Sequence, residues 1–421
     1  TLIVMGHGGI SMAWNQVCPM EQRIRFVLRA AHETVPFSAL CNEFGISRRI
    51  GYKWLGRYLN EGLDGLHERS RRPHSSPNKT PKEVEQLIIK ERHRHKTWGP
   101  VKLRQVLQRK YDLPCVPAAS TIGNILTAHG LTVKRKRRRV VRQPHRHLTP
   151  ATRPNEVWPV DFKGWFRTKD GQRCDPLTVS DLDSRFILGC DIVDRQSYDA
   201  VFPAFERLFR KYGIPEIIRV DNGSPFASRG VCGLSRLSVW WILQGIDVEF
   251  IEPAHPEQNG VHERMHRTLK AETARPPAED RQAQQRRFDR WRAEFNNERP
   301  HEALDLQTPA ERYQRSQRRY TAAVNTPEYP PYYERRRVTS IGQIKWNSRL
   351  YFIGEALAGT DVGLIEIDDG CHEVYLSDLL LGYIVENEKP GFYSELAPPP
   401  GGRSGALASQ GKQMQIQKKK R

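Results

Sequence analysis

Apolar residues recur at three- and four-residue intervals in the first part of the chain, which predicts helices. Two of these helices are separated by a turn in which Gly45 ends one helix and Ser47 caps the next. The apolar positions that define the helices are Ile24, Val27, Leu28, Leu40, Ile50, Trp54 and Tyr58. Two helices joined by a short glycine-containing turn form a helix-turn-helix, so we predict a helix-turn-helix DNA-binding domain over 12–68.

A second helical block follows over 81–132. Its apolar residues again fall into groups with helical spacing, and the segment TWGP separates the first group from the second. These residues are Val84, Leu87, Ile88, Val101, Leu103, Leu107, Ile122, Ile125 and Leu126. Three short helices in one block predict a second helix-turn-helix-like domain, with a plain helical spacer as the alternative.

The pattern changes after residue 153, where short runs rich in Val and Ile replace the helical periodicity. Four such runs are VWPV, PLTVSDLD, FILGCDIV and EIIRV, and the segment 200–212 has the pattern of a helix. Strands that are interrupted by a helix predict an α/β domain with a mixed sheet over 153–275. A helical extension is predicted to follow over 276–313.

The last patterned block, 338–388, alternates apolar and polar residues in short runs separated by Gly, Asn and Asp. Several short strands in one small block predict a small all-β barrel. The segment 391–421 contains PPPGG and QKKKR and few apolar residues, so it is predicted to be a disordered basic tail.

The charge of the chain is strongly positive. Of its 421 residues, 67 are Lys or Arg and 48 are Asp or Glu, which gives a formal net charge of +19. The predicted linker 133–152 contains cations and no acidic residue, and such blocks typically bind polyanions. The cations of this linker include Lys134, Arg135, Lys136, Arg137, Arg138 and Arg139.

The predicted helix-turn-helix adds cations of its own. Its second helix would present Arg48, Arg49, Lys53 and Arg57 to the major groove. We therefore expect double-stranded DNA as the partner, and the alternative is a solvated basic face.

Two classes of protein are excluded by composition. No apolar run reaches the ~18 residues that span a bilayer, so we expect no membrane partner. The seven cysteines are scattered and form no CxxC pair, which argues against a disulfide framework and against a cysteine zinc site. A reduced, cytoplasmic compartment is therefore expected.

Three acidic residues lie where the chemistry of an α/β domain is expected. Asp161 ends the run VWPV and Asp221 ends the run IIRV, so both carboxylates lie at the carboxyl ends of predicted strands. Glu263 lies in the first turns of a helix that follows the break at Asn259 and Gly260. Three carboxylates form an all-oxygen site of the kind that Mg²⁺ prefers. Two such ions about 4 Å apart support in-line phosphoryl transfer.

Neighbouring polar residues extend this candidate site. Arg267 and Lys270 share a helix face with Glu263, at i+4 and i+7, and we expect them to hold phosphates. Asn222 and Gly223 are expected to shape the loop after the second aspartate.

Other residues near these segments have expected roles outside catalysis. His255, His262 and His266 crowd the third acidic segment, where phosphate contact or solvation is expected in preference to proton transfer. Trp158 and Trp165 are expected in the core. Four further aspartates could supply ligands, but structural roles are expected for them: Asp181, Asp183, Asp191 and Asp194.

Three segments of the α/β block carry a family resemblance. WPVDFKG, VDNGSPF and HPEQNGVHERMHRTLK resemble the signature segments of the retroviral integrase core, in the version found in bacterial insertion-sequence transposases with a single reading frame. FGISRRIGYKWLGRY, NNERPHEALDLQTPAERY and IGQIKW also resemble that family. The resemblance covers 12–390 in the expected motif order, and Met12 is the expected natural start.

The resemblance implies a fold class and a set of site residues. The predicted fold is multidomain, with all-α helix-turn-helix units, an α/β RNase H-like (integrase-type) core and a small C-terminal all-β barrel. Asp161, Asp221 and Glu263 are implied as catalytic residues and as ligands of Mg²⁺, for which Mn²⁺ would be able to substitute.

The resemblance also implies a function, that of a DNA transposase of the DDE type. Such enzymes bind the inverted-repeat ends of their own element, cleave at the 3′ ends and join the freed hydroxyl to target DNA. A homodimer or higher homo-oligomer is expected because two ends are joined in one event. The expected location is the nucleoid of a bacterial cytoplasm.

Two alternatives to this function stay open at the level of sequence. One is a catalytically inactive, domesticated DNA-binding protein, which is suggested by Pro159 because proline is normally excluded from interior strands. The other is a structure-selective nuclease, which would not need two helix-turn-helix units.

Overall fold

The structure is a computed structural model that describes residues 18–32, 35–70, 79–132, 148–252, 256–323, 326–387 and 390–394. The chain divides into two compact units, Thr1–Lys79 and Thr80–Arg421. The predicted linker cations between Lys134 and Arg139 lie outside the described residues, as do residues 395–421 of the predicted tail. In the described parts of the chain, no helix is long and apolar enough to cross a membrane.

The first unit contains the predicted helix-turn-helix. Its helices are α1 (Pro19–His32), α2 (Phe37–Glu43) and α3 (Arg48–Glu61). Between α2 and α3, Gly45 has a φ of +64°, a conformation that favours glycine, and the hydroxyl of Ser47 accepts a hydrogen bond from the Ile50 N–H. The core of the unit consists of Phe26, Val27, Leu40, Cys41, Trp54 and Leu66. The predicted turn and cap are therefore observed.

A buried glycine lets α3 approach the other two helices closely. A Cβ added at Gly51 would lie 2.7 Å from Cys41 Sγ and 3.0 Å from the Phe26 ring. Gly51 therefore defines the inner face of α3, and the polar residues on the opposite face stay in solvent.

The second unit begins with three helices, α4 (Lys82–Arg94), α5 (Pro100–Lys110) and α6 (Ala119–Ala128). They enclose a core of Val84, Ile88, Trp98, Leu103, Leu107, Ile122 and Leu126. Polar contacts join this helical block to the α/β part of the same unit. His95 Nδ1 lies 2.7 Å from Glu294 Oε1, and Arg94 donates to Glu298 at 3.0 Å.

A six-stranded mixed sheet follows, as the sequence predicted. Its strands are β1 (Val157–Phe162), β2 (Phe166–Arg167), β3 (Arg173–Ser180), β4 (Ile187–Val193), β5 (Ile217–Val220) and β6 (Asp247–Phe250). The order is β2-β3-β1-β5-β6, and β4 pairs with β3. The β1–β5 and β5–β6 pairs are parallel, whereas β3 is antiparallel to both β1 and β4.

Helices cover both faces of this sheet. Leu188 of β4 packs in the cluster that contains α7 (Tyr198–Tyr212) and α8 (Arg236–Leu243). The adjacent Ile187 packs instead with α9 (Gly260–Thr273) and α10 (Arg281–Asn297). Successive strand residues point to opposite faces, so β4 lies in a layer between two helical layers.

The helix α10 is tied to the sheet by polar contacts as well. The side chain of Asn296 accepts from the Ile187 N–H at 2.8 Å and donates to the Ile187 carbonyl at 2.9 Å. One amide thus satisfies both backbone groups of a residue in β4. The short helix α11 (Pro309–Arg312) follows it in the chain.

The proline in β1 is accommodated within an interior strand. Pro159 is paired with Arg219 of β5, whereas the antiparallel ladder to β3 begins one residue later, at Val160. Because the proline falls at the end of the β3 ladder, the strand continues through it to Asp161. Pro159 therefore gives no structural support to the inactive alternative.

The C-terminal part is all-β, but its strands do not pair into the predicted barrel. They are β7 (Glu334–Arg337), β8 (Gln343–Trp346), β9 (Arg349–Phe352), β10 (Asp361–Asp368), β11 (Cys371–Leu376), β12 (Leu379–Val385) and β13 (Gly391–Ser394). In the described segments the pairing gives an open five-stranded sheet, β13-β12-β11-β10-β7, and a separate β8–β9 hairpin. A closed barrel is therefore not confirmed.

The physical reason lies in the packing of the hairpin. Ile344 and Trp346 of the hairpin share one apolar cluster with Val362 and Val374 of the sheet. The hairpin thus covers the core by side-chain packing instead of by a closing ladder. In addition, Gly391–Ser394 forms a strand, so these four residues do not belong to the predicted disordered tail.

Candidate functional site

Two aspartates lie at the carboxyl ends of neighbouring parallel strands. Asp161 is near the end of β1, and Asp221 directly follows β5. The two strands pair in parallel, so their carboxyl ends meet at one edge of the sheet. Glu263 lies in the first turn of α9, and its charge acts on Asp161. The fold therefore brings the three predicted acidic residues into one region.

Asp161 is partly buried and lies near two other negative charges, those of Asp221 and Glu263. The pKa of Asp161 is raised to about 7, first by burial and then by the negative charge of Asp221, with a smaller contribution from Glu263. The Phe162 N–H and Lys163 act in the opposite direction. Ionised Asp161 is consequently disfavoured until a positive charge is present.

The donor set fits a hard divalent cation by its chemistry. All three side chains offer carboxylate oxygens, and the charges of Asp221 and Glu263 repel that of Asp161. A bound cation would offset this repulsion. Within the described residues, however, no three His, Cys, Asp or Glu side chains are already clustered tightly enough to hold a metal ion.

Two buried histidines lie behind Asp161 in a hydrogen-bonded network. Thr178 Oγ1 donates to the carbonyl of Asp161 at 2.9 Å, and it lies 2.7 Å from His262 Nε2 and 2.6 Å from His266 Nε2. Because a hydroxyl has one proton, both histidines are assigned as donors to Thr178 through Nε2. Ser180 Oγ then donates to His262 Nδ1 at 3.1 Å.

The network keeps both imidazoles neutral. Burial lowers the pKa of His262 to about 3, and burial together with the neighbouring His262 lowers the pKa of His266. His266 Nδ1 lies 3.5 Å from Asp161 Oδ2. The two histidines therefore support the strand that carries Asp161 instead of being solvated.

The expectation of solvation was therefore wrong for His262 and His266, and His255 lies outside the described residues. A sequence signal for burial does exist, because the two histidines are four positions apart (i and i+4) and share a helix face with the apolar Leu269.

The two tryptophans differ in environment. Trp158 is fully buried, as predicted, but Trp165 is 56% exposed, so the prediction of a core position was wrong there. Trp165 directly precedes the two-residue strand β2, which lies at the edge of the sheet. The guanidinium of Arg173 lies 5.2 Å from its ring and that of Arg167 lies 5.8 Å from it.

The loop after β5 is held by its own polar side chains. Asn222 donates to the Ile251 carbonyl at 2.6 Å, and the Gly223 N–H donates to Asp221 Oδ1 at 3.1 Å. Asn259 is buried immediately before α9, and Gly260 is the first residue of that helix.

The predicted DNA-contacting cations that are described lie on two helices. Arg267 and Lys270 are exposed on α9. On α3, Arg48, Arg49 and Lys53 are exposed, whereas Arg57 is half-buried with its guanidinium 5.1 Å from the Trp54 ring.

The four additional aspartates are engaged in structural contacts. Asp181 is buried and accepts from the Asn155 and Ser184 N–H groups. The other three form ion pairs, Asp183 with Arg312, Asp191 with Arg207 and Asp194 with Arg281. The structural roles expected for these residues are therefore observed.

Comparison with protein families decides what kind of domain holds this site. Two family models described as integrase core domain match residues 151–256 and 244–309. The segment 151–309 is therefore similar to an integrase core domain. A helix-turn-helix domain matches 22–74, and a homeodomain-like domain matches 50–126. The resemblance stated from the motifs, to an insertion-sequence transposase with an integrase-like core, is thereby confirmed.

Individual proteins that are similar to this chain come from bacteria and viruses. An uncharacterized 31.7 kDa protein of insertion element IS407 from Burkholderia multivorans is 30% identical over 186 residues, which are 43% of this chain and 64% of that protein. A Gag-Pol polyprotein of baboon endogenous virus is 25% identical over 44% of this chain and 10% of its own length. The chain thus spans less than two thirds of each relative.

Solved structures are similar at a lower level. A simian T-cell lymphotropic virus intasome in complex with the PP2A regulatory subunit B56 gamma has 15% identity, covers 70% of this chain and 97% of its own, and gives a TM-score of 0.35. The HTLV-2 integrase catalytic core domain in complex with magnesium has 14% identity, covers 39% of this chain and 100% of its own, and gives a TM-score of 0.30.

Proposed function

We propose that this chain is a DNA transposase that cleaves the 3′ ends of a mobile element and joins them to target DNA. The single observation that carries the proposal is the meeting of Asp161 and Asp221 at the ends of β1 and β5, with the charge of Glu263 acting on the same carboxyl. A site built from three repelling carboxylates suits phosphoryl transfer, in which negative charge develops on oxygen.

The proposed reaction consists of two phosphodiester exchanges at one site. In the first, water breaks one P–O bond at the end of the element and leaves a 3′ hydroxyl. In the second, this hydroxyl attacks a phosphodiester of the target and displaces another 3′ oxygen. No protein nucleophile is required in either exchange.

Asp161, Asp221 and Glu263 are the proposed catalytic residues, and they would hold the Mg²⁺ ion, or Mn²⁺ in its place. When bound, the cation would activate the attacking hydroxyl and stabilise the leaving oxygen. Arg267 and Lys270, exposed on the same helix as Glu263, are the proposed contacts to the phosphates of the bound strand.

Recognition of the DNA ends is assigned to the helical domains. We propose that α3 enters the major groove and presents Arg48, Arg49 and Lys53 to the bases or phosphates. Arg57 would take part from the edge of this surface, since its guanidinium packs on the Trp54 ring. The basic linker and the C-terminal strands would add salt-sensitive contacts to the backbone. Joining two ends requires a homodimer or a larger assembly at the bacterial nucleoid.

A nicking and strand-transfer assay tests this function. Purified full-length chain would be mixed with labelled DNA from both flanks of its gene, in Mg²⁺ and separately in Ca²⁺. We expect Mg²⁺-dependent 3′ cleavage and joining, loss of both products in Asp221→Asn, and retained DNA binding in that variant.

The matched control is Asp194→Asn, which removes a carboxylate that is ion-paired on the surface with Arg281. This variant is expected to cleave like the wild type. Cleavage by Asp221→Asn at the rate of the control would refute the assignment of the acidic residues, and specific binding without any product from the wild type would favour the inactive alternative.

A further inference from the structure

A cavity lined by four arginines lies at the start of α9. It has a volume of about 580 Å³ and opens between the β3–β4 turn, the start of α9 and the segment 303–312. Its charged lining residues are Arg185, Arg219, Arg264, Arg312, Asp183 and Asp305. None of the three acidic residues lines the cavity. Its lining residues Arg264 and Arg219 directly follow Glu263 on α9 and lie two residues before Asp221, respectively.

Two of the four arginines are neutralised by carboxylates. Arg312 forms two hydrogen bonds of 2.9 Å with the carboxylate of Asp183. Arg219 donates from Nε to Glu249 at 2.6 Å and also donates to the Thr149 carbonyl. These two guanidinium groups are therefore structural components of the wall.

The other two arginines lack such partners. Among the described residues, neither Arg185 nor Arg264 has a side-chain hydrogen bond or an ion pair, and Arg185 Nη1 is buried without an acceptor. The pKa of Arg185 is lowered, first by burial and then by the charge of Arg264, whereas the charges of Asp183 and Asp181 act in the opposite direction. A buried donor without an acceptor is costly, so an anion in the cavity would relieve both the missing hydrogen bond and the repulsion.

The start of α9 also borders the cavity. Gly260 and Val261 line it, and they belong to the first turn of a helix of 14 residues. The side chain of Asn259 does not cap this helix. A short 3-10 helix, Pro256–Asn259, runs directly into α9, so the contribution of this terminus is the positive end of the helix dipole, which favours an anion.

Beyond the cavity, cations and acids are mixed. The pKa of His301 is lowered to about 3, first by burial and then by the charges of Lys102, Arg299 and Arg185, but Arg299 is itself ion-paired with Glu272 at 3.5 Å. Planar guanidinium groups bind phosphate oxygens in pairs, which makes a phosphate diester a better match than a carboxylate of the protein.

We propose that Arg185 and Arg264 form a phosphate-binding pocket at the start of α9, the helix that carries Glu263, and that this pocket holds a backbone phosphate of DNA. The choice of DNA as the source of the phosphate rests on the proposed function. Free inorganic phosphate has the same chemistry, and the test separates the two sources.

The test uses the full chain and the variants Arg264→Gln, Arg185→Gln and Arg290→Gln. Arg290 is an exposed arginine of α10 that is outside the cavity, so its variant removes the same charge as a control. Arg264 is exposed, so its substitution is compatible with folding, and far-UV circular dichroism checks all three variants.

Two binding measurements are made on each protein. The first is the melting temperature in sodium phosphate and in sodium chloride at equal ionic strength. The second is the affinity for duplex DNA by fluorescence anisotropy between 50 and 200 mM salt, from which the slope of log K against log salt is taken.

We expect phosphate to raise the melting temperature of the wild type and of Arg290→Gln but not of the two cavity variants. The salt slope of each cavity variant is expected to fall by about 0.9 for its lost phosphate contact, with roughly tenfold weaker binding at low salt. Such a result supports the pocket even if the strand-transfer assay gives no product, which would count against the proposed function alone.

Two results would overturn the proposal. If the cavity variants match Arg290→Gln in both measurements, the cavity binds no anion. If they lose the phosphate effect while the salt slope stays at the wild-type value, the ligand is a free phosphate and the assignment to DNA is wrong.

Discussion

Replacing Asp161 by asparagine should stabilise the metal-free protein at neutral and alkaline pH. The carboxyl of Asp161 is half-buried and faces the charges of Asp221 and Glu263, so the folded state disfavours its ionised form. Asparagine has nearly the same shape and carries no charge. The substitution therefore removes the repulsion while the strand and the core are left in place.

The magnitude follows from the raised pKa. A change from 3.8 to about 7 corresponds to about 4 kcal/mol at 1.36 kcal/mol per pH unit. The Asp161 side chain is 26% exposed, so solvent screening reduces the expected increase in the free energy of unfolding to about 2–4 kcal/mol.

The sign of the pH dependence is fixed by the direction of the shift. The folded state holds the proton more tightly than the unfolded state, so the cost of Asp161 appears as the pH rises above 4 and is complete above 7. Wild type and Asp161→Asn should therefore be similarly stable near pH 4 and should differ fully at pH 8.

Urea unfolding at pH 4 and pH 8 measures this difference, with a chelator present and with tryptophan fluorescence as the probe of the core. Asp112→Asn is the control, because Asp112 is an exposed aspartate of the same unit, and it should change stability by less than about 0.5 kcal/mol. Adding Mg²⁺ at 100 times its Kd should stabilise the wild type by about 2.7 kcal/mol and Asp161→Asn by less. Equal stability of the two proteins at pH 8 without metal would refute the reasoning.

Two further predictions concern stability. Gly51→Ala should destabilise the first unit by about 1–3 kcal/mol, because the new Cβ would lie 2.7 Å from the sulfur of Cys41, whereas Gly56→Ala, whose Cβ meets nothing within 4 Å, should stabilise α3 by about 0.5–1 kcal/mol. Thermal unfolding of both variants measures this difference, and an equal loss of stability in the two variants would contradict it. Asn296→Ala should lower the free energy of unfolding in urea by about 2–3 kcal/mol, because it removes the side-chain partners of both the N–H and the carbonyl of Ile187. The control Asn297→Ala, at an exposed position, should lower it by less than about 0.5 kcal/mol, and similar losses in the two variants would count against this contact.

Local chemistry determined much of this protein from sequence alone. Helix periodicity and the turn at Gly45 and Ser47 depend on neighbouring residues, so the helix-turn-helix could be predicted directly. The position of Asp161 and Asp221 at one edge of the sheet could also be predicted, because a residue that ends an apolar strand lies at the edge of a sheet wherever the strand is placed. The catalytic role of these residues and of Glu263 stays a prediction.

Tertiary structure decided the features that depend on distant partners. Proline at 159 is tolerated because the β3 ladder begins after it, and that register is set by residues 178 and 179, far along the chain. The C-terminal strands form an open sheet because the hairpin packs over the core instead of pairing, a choice that strand patterning does not encode.

The surroundings of the site belong to the same class. Sequence spacing gives His262 and His266 a common helix face, but only the docking of α9 on β3 decides that this face is dry and bonded to Thr178. The cavity at the start of α9 is likewise assembled from a turn, a helix start and a distant loop. Whether a side chain is buried, and whether a charge finds a partner, depends on which surfaces pack together in the folded protein. The sequence alone specifies only which residues those surfaces carry.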